Sequence, residues 1–443
     1  MKVGFPFPGY EKIAPVEVPD ANLMGIFAPK ASDGVDEAAV LREGFARPID
    51  APRLRDALRQ QVQDNGRVLI LVDDGTRTTP VARILPRVFE ELAAAGIGDD
   101  RVSFLTAPGT HREMTDAELR DKLGPFKARC AVHQHRWLDE ASLRDYGRTS
   151  DGTRVTANRL LGESAFVLGV GSIVPHRVKG FSGGAKIAFP GVAGREMMEK
   201  NQWEASLRMS ETVMGVADNP MRLRMEEAAR LAGMHYIVNV VIAECDHKIV
   251  GCVTGDVVAA HRAGCAISRD YNGARLPRRA DIVISDAHPA DRDVWQSAKG
   301  IYSGTMAVRR GGTLIVVAPN PEGVASNHPN LLEIGYRPHD EVIRMVRDGE
   351  VKDVVGVAIL GDIAQILDHA DSILVSPGVR REDAERLGFR WAPTTQEALE
   401  MGFLRCGREA SVAVLRYGGH ILPIVEHDDE SHPERGAERG IGR

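Results

Sequence analysis

Apolar runs of strand length recur along the chain with helical patterns between them, the alternation that predicts a mostly parallel sheet covered on both faces. The VLILV run after Arg67 reads as a strand, and Val81 to Ala95 as a helix whose Ile84, Leu85, Val88, Phe89 and Leu92 form one apolar stripe. Val102 to Thr106, Ala165 to Gly171 and Tyr236 to Glu244 read as further strands, and Gly194 to Arg208 as a helix. From about Pro277 a second series begins. Asp281 to Ser285, Thr313 to Ala318, Ile373 to Val375 and Ser411 to Leu415 are its strands, with Val294 to Val308 and Glu341 to Asp348 as helices. The pattern predicts two α/β domains with mostly parallel sheets, over 1–270 and 280–425, joined by the Arg-rich stretch Arg269 to Arg279. Residues 427–443 mix His, Asp, Glu, Arg and Gly without apolar periodicity and are expected to form a flexible tail.

A chain of 443 residues with 43% hydrophobic positions has ample material for two cores. With 62 acidic against 56 basic residues the net charge is −6, so there is no electrostatic footprint for nucleic acid or an anionic membrane surface. The longest apolar runs fall far short of the ~20 residues of a membrane helix. The start, MKVGFPFPGY, lacks the basic segment, apolar core and cleavage site of a secretory signal, which makes the cytoplasm the expected compartment. Five cysteines without a C-x-x-C pair argue against a disulfide framework or a cysteine zinc site, and read as small buried hydrophobes.

Ligands of open α/β sheets bind beyond the carboxyl ends of strands, so polar motifs there carry extra weight. After the Arg67 strand, DDGTRTTP places Asp74, Thr76 and Arg77 in one turn. A turn opened into a helix by Pro80 accounts for Gly75, Thr79 and Pro80 but leaves Arg77, whose fork suits a carboxylate or phosphate. After the Val102 strand, APGTHREMT presents His111, while Thr115 and Glu118 have the spacing of a capping box. A loop histidine is ordinarily solvated; as a chemical group it would be an acid or base. After the Ala165 strand comes GSIVPHRVKGFSGGAKIAFPGVAG, where Gly180, Gly183, Gly184, Gly191 and Gly194 let backbone approach an anion around Lys186. That reads as a nucleotide or phosphate site, though neither G-x-x-x-x-G-K-[ST] nor G-x-G-x-x-G fits. His176 gives a second strand-end histidine, and two histidines facing one carbon would suit inversion. In the second series, Gln296 and Lys299 share a helical face, which is either solvated or functional, and Trp295 beside them reads as core.

Together, the DGTR turn at Asp74, Gly109-Thr110-His111, Pro175-His176 with GFSGGAK and PGVAG, and Gln296-x-x-Lys299 resemble the nickel-dependent lactate racemase family, in the family's order and from about residue 70 to 300. The resemblance implies a cofactor-binding, catalytic N-terminal domain and a C-terminal domain closing an interdomain active-site cleft. It also implies a nickel-pincer nucleotide, a nicotinic-acid-derived mononucleotide whose two sulfurs and a ring carbon hold nickel, tethered through Lys186. His111 and His176 would be the paired acid/base residues, and Arg77, Gln296 and Lys299 would hold the substrate. Asp74, Thr76, Gly183 and Gly184 would contact the cofactor. The implied reaction is racemisation or epimerisation of a 2-hydroxy acid by proton-coupled hydride transfer, and the implied partners are that small molecule and the enzymes that build the cofactor. Two positions depart from the family. Gln202, with Asn201 before it, stands about sixteen residues after Lys186 where a nickel-ligating histidine is expected, and an amide is a poorer nickel partner. Ile363, near Asp362 and Gln365, stands where a tryptophan is expected near the substrate. The rival readings are a racemase or dehydratase that abstracts the α-proton without a cofactor, and a non-catalytic nucleotide-binding member.

Overall fold

A computed structural model describes residues 1–427 except 8, 11, 12, 326 and 327, so the expected tail past His427 lies outside the described residues. Two six-stranded sheets organise the molecule. The first runs Lys248–Gly255, Tyr236–Ala243, Phe166–Ser172, Val68–Asp73, Val102–Ala107, Ala131–Gln134 and is parallel except at the first pair. The second runs Arg390–Trp391, Asp371–Val375, Val308–Val317, Ala280–Asp286, Val412–Leu415, Leu23–Phe27 and is parallel throughout. The fold is α/β with mostly parallel sheets, as the alternation implied.

Every residue of Val68–Asp73 and Tyr236–Ala243 is buried, because helices cover both sheet faces and leave no polar side. Leu69 and Leu71 pack into one core, while Val68, Ile70 and Val72 pack into another across the sheet. In the second sheet Ile282 and Ile284 likewise point opposite to Val283. Among the described residues, no helix is long and apolar enough to cross a membrane.

Two expectations are corrected. Leu23–Phe27, within the span assigned to the first domain, pairs with Val412–Leu415, and Val3, Phe7, Val16 and Val18 join the core of the second sheet. The chain's start thus adds to the second unit, where its apolar residues find cover. The Arg269–Arg279 stretch is no free linker: it ends the helix Ala259–Asn272 and continues as Gly273–Leu276, paired with Leu422–Val425. A sixteen-residue helix, Val354–His369, packs on Arg195–Ser206 of the other unit.

In the first sheet the chain steps outward from Val68–Asp73 through Val102–Ala107 to Ala131–Gln134, then returns with Phe166–Ser172 on the opposite side. The crevice between the carboxyl ends of Val68–Asp73 and Phe166–Ser172 is the switch point where such sheets bind ligands.

Candidate active site

The three strand-end segments converge at that crevice, and the helix Val294–Ala307 of the second unit closes over them. They line a cleft of about 1190 Å³, counting its open mouth, with Asp74, Arg77, His111, His176, Lys186, Gln202, Gln296 and Lys299 among its walls. The sequence-selected side chains thus meet in one place. Gly183 lines it as well, and Thr76 borders an adjoining recess.

The Asp74 turn is held from beneath. Lys122 pairs with Asp73 at 2.8 Å, donates to the carbonyl of Arg77 at 3.1 Å, and Thr79 Oγ1 bonds Asp73 as well. Among the described residues, the Arg77 side chain makes no hydrogen bond. The His111 loop is tied to the glycine-rich segment by Gly109 N donating to Gly191 O at 3.0 Å, and Thr115 and Glu118 form the expected capping box just beyond it.

Asp74, expected at the cofactor, is engaged with protein groups. One carboxylate oxygen accepts from Thr76 N and Oγ1, at 3.0 and 2.6 Å, and the other lies 2.6 Å from His111 Nδ1. Burial alone would raise its pKa, but His111, then Arg77 and Thr76, hold it well below the usual carboxylate range. An ionised carboxylate on Nδ1 makes that nitrogen the protonated one and leaves the lone pair on Nε2. Gln296 Nε2 donates to that lone pair at 3.1 Å, and Gln296 Oε1 accepts from Lys299 Nζ at 2.8 Å. Gln296 and Lys299 do share one helical face, and Asp293 caps that helix by accepting from Gln296 N at 2.8 Å.

His176 is arranged the other way. Its Nδ1 accepts from Val178 N at 3.1 Å, so the hydrogen sits on Nε2. Burial first, then the charges of Lys186, Arg77 and Lys299, push its pKa well below the ordinary histidine value, which keeps the ring neutral. One histidine therefore offers a lone pair and the other an N–H.

Among the described residues, the Lys186 amine has no hydrogen-bonding partner. Burial, then Arg77 and Arg222, lower its pKa to about 7. Such an amine is substantially neutral near pH 7 and thus a nucleophile. The loop that carries it has little tolerance for side chains: at Gly184, with φ +57°, a Cβ would lie 2.8 Å from the His261 ring, and at Gly183, with φ +72°, 2.7 Å from Asn239 Oδ1. Arg222, fully buried, braces the loop by donating to the carbonyls of Lys179, Phe181 and Gly183.

Of the two amides at the metal-contact position, Gln202 lines the cleft, whereas Asn201 is occupied with Met197 and Arg224. The apolar wall is Met198, Val355 and Ile359; Ile363, singled out from the sequence, packs in the core of the second unit instead. Trp295, expected in the core, is a half-buried cleft residue stacked on His328. Of the cysteines Cys265 is buried but Cys245 is exposed. Sequence reasoning missed Arg177, Lys179, Tyr302 and Arg222. Arg177 Nη2 reaches Asp362 at 2.9 Å and Tyr302 OH donates to the same carboxyl at 2.9 Å, a buried tie between the two units.

A two-domain α/β architecture that gathers two histidines, a buried lysine and several cations in its interdomain cleft has the form of an enzyme active site. The comparisons give the family. The lactate racemase N-terminal domain matches residues 10–215 and the lactate racemase C-terminal domain residues 276–422. The chain is 30% identical over 427 residues to a lactate racemase of Thermoanaerobacterium thermosaccharolyticum, covering 94% of this chain and 97% of that one. It is 27% identical over 422 residues to a lactate racemase of Lactiplantibacillus plantarum, covering 94% and 98%. The lactate racemase apoprotein structure from T. thermosaccharolyticum superposes with a TM-score of 0.85 at 24% identity, covering 96% of this chain and all of that one. A Thermotoga maritima protein gives 0.71 at 21%, covering 89% and 99%. The chain belongs to the lactate racemase family and is an enzyme of the racemase type.

Proposed function

We propose that this enzyme racemises or epimerises a 2-hydroxy acid by transient oxidation at C2, with a nickel-pincer nucleotide tethered to Lys186. The observation that supports it is the juxtaposition in one cleft of a lone pair on His111 Nε2, fixed by Asp74, with the unpartnered amine of Lys186. The residues fit the nucleotide. Lys186 supplies the tether, the Gly183–Gly184 backbone a close approach, and Gln202 the side chain at the family's nickel-ligand position. Among the described residues, no three His, Cys, Asp or Glu side chains gather as a metal site, and Gln202 would be the side chain nearest the family's nickel-ligand position. When bound, the group supplies a two-electron acceptor for the hydrogen at C2.

The protein's own part follows from its hydrogen bonds. Arg77 and Lys299 orient the substrate carboxylate. His111 Nε2 takes the hydroxyl proton as C2–H leaves with its electron pair, giving a planar 2-keto acid whose oxygen His176 Nε2–H holds. Turning of the planar keto acid about its C2–O axis would present its other face; hydrogen returned to C2 there with its electron pair, and the proton given back by His111, would invert the centre. The relatives are lactate racemases, and the Val355 and Ile359 wall suits a 2-hydroxy acid with an aliphatic part. Loading requires the enzymes that build the nucleotide, and the cytoplasm is the proposed compartment. The test is racemisation of substrate deuterated at C2 in ordinary water. The label stays in the inverted product under this reading, and is lost to solvent under direct proton abstraction.

A further inference from the structure

Lys179 lines the same cleft, in the glycine-rich segment between His176 and Lys186, and is 2% exposed. No acidic side chain among the described residues pairs with its ammonium, and no hydrogen bond reaches it. Two of the cations around it are provided for: Arg222 lies on three loop carbonyls, and Arg224 pairs with Asp151 and Glu204 at 2.6 and 2.7 Å. Lys179 is left facing a predominantly positive neighbourhood, which together with burial drives its pKa well below the ordinary lysine value. A buried, unpaired ammonium is costly, and any apolar residue would fill the position without that cost. Its neighbour Arg177, also a cleft residue, likewise has Nε and Nη1 buried without acceptors.

We propose that Lys179 binds an oxyanion, a phosphate or a carboxylate, additional to the 2-hydroxy carboxylate that Arg77 and Lys299 hold. The proposal rests on the cofactor and substrate reading above, which offers two sources: the phosphate of the nucleotide, or a second carboxylate on the substrate. The amine then regains its charge against the incoming anion and the cleft is neutralised only when filled.

The experiment is calorimetric binding to the full chain produced without the cofactor-building enzymes, comparing wild type with Lys179→Met and Lys179→Gln, each first verified as folded by its melting curve. The probes are nicotinic acid mononucleotide, nicotinic acid riboside, malate and lactate. Loss of one charge-assisted contact weakens binding roughly tenfold or more. A loss of that size for the mononucleotide, with the riboside unchanged, assigns the phosphate. The same loss for malate, with lactate unchanged, assigns a distal carboxylate. If wild type binds malate through Lys179 but no nucleotide, the nucleotide reading fails while the role of Lys179 stands. Affinities within twofold of wild type for every probe in both variants overturn it, as does a wild type that binds none of them.

Discussion

His111 Nε2 accepts from Gln296 Nε2 at 3.1 Å, a hydrogen bond that joins the first unit to the second at the ring nitrogen proposed above as the base. The substrate hydroxyl must take the place of the Gln296 amide at that nitrogen, which frees the amide to bind the substrate's oxygens. Behind it, Asp74 fixes the tautomer. Asp74→Asn leaves the volume unchanged but allows the ring to reverse its proton, and is expected to lower kcat by about 10³–10⁴-fold with little change in KM, by analogy with other carboxylate-oriented histidines. Gln296→Leu is expected to lower kcat/KM by roughly 10–100-fold, as loss of one positioning contact. Steady-state kinetics on loaded enzyme checks both.

The two histidines are expected to differ in solution as they do here. Nitrogen NMR of the ¹⁵N-histidine chain at neutral pH should show Nε2 of His176 carrying hydrogen and Nε2 of His111 bare, with His111→Gln and His176→Gln spectra making the assignments. His176→Gln, which keeps an N–H donor, should retain more activity than His111→Gln, whose loss of a base is expected to cost about 10²–10⁴-fold. Equal losses, or a His176 ring that titrates near pH 6.5, would contradict the asymmetry.

Lys186 makes stability depend on pH in a definite direction. Its folded pKa is lowered to about 7, while the unfolded amine stays near 10.4. Between those values the unfolded chain binds the extra proton, so this group's contribution rises with pH, and below about 7 the cost of burying the charge is felt in full. Lys186→Met should therefore melt above wild type at pH 6, and the gap should close as pH is raised toward 10. A gap that is constant or widens would rule out a depressed lysine.

The Arg177–Asp362 pair bridges the units with both partners almost wholly buried, and Tyr302 OH completes the carboxyl. Removing one partner, as in Asp362→Leu, strands a charge and should destabilise by about 3–5 kcal/mol. Arg177→Met with Asp362→Leu together should recover most of that loss. Urea unfolding of the four members of the cycle measures it, and additive losses would show that the two residues act independently.

What the sequence discloses here depends on whether the signal is local. Val68–Asp73 and Tyr236–Ala243 are legible because strands buried on both faces must be apolar throughout, and Thr115 with Glu118 announces a cap by spacing alone. Val354–His369 shows no legible helical period in the sequence because twelve of its sixteen residues are buried, so no polar face marks one. Ile363 departs from the family's expected tryptophan, yet it is Ile359, one turn earlier, that lines the cleft. Leu23–Phe27 pairs with a strand almost four hundred positions away, and nothing local records that. The motif residues were found because their types are chemically expressive. Lys179, inside the glycine-rich motif, and Arg222, on the later helix Pro220–Leu231, look like any solvated cation until burial is known.

The account rests on Lys186 as the tether, and intact-mass spectrometry tests that most directly. The full chain co-expressed with the cofactor-building enzymes should carry a covalent nucleotide adduct that Lys186→Ala lacks. An unmodified mass for the wild-type chain, or an adduct that survives Lys186→Ala, would contradict it.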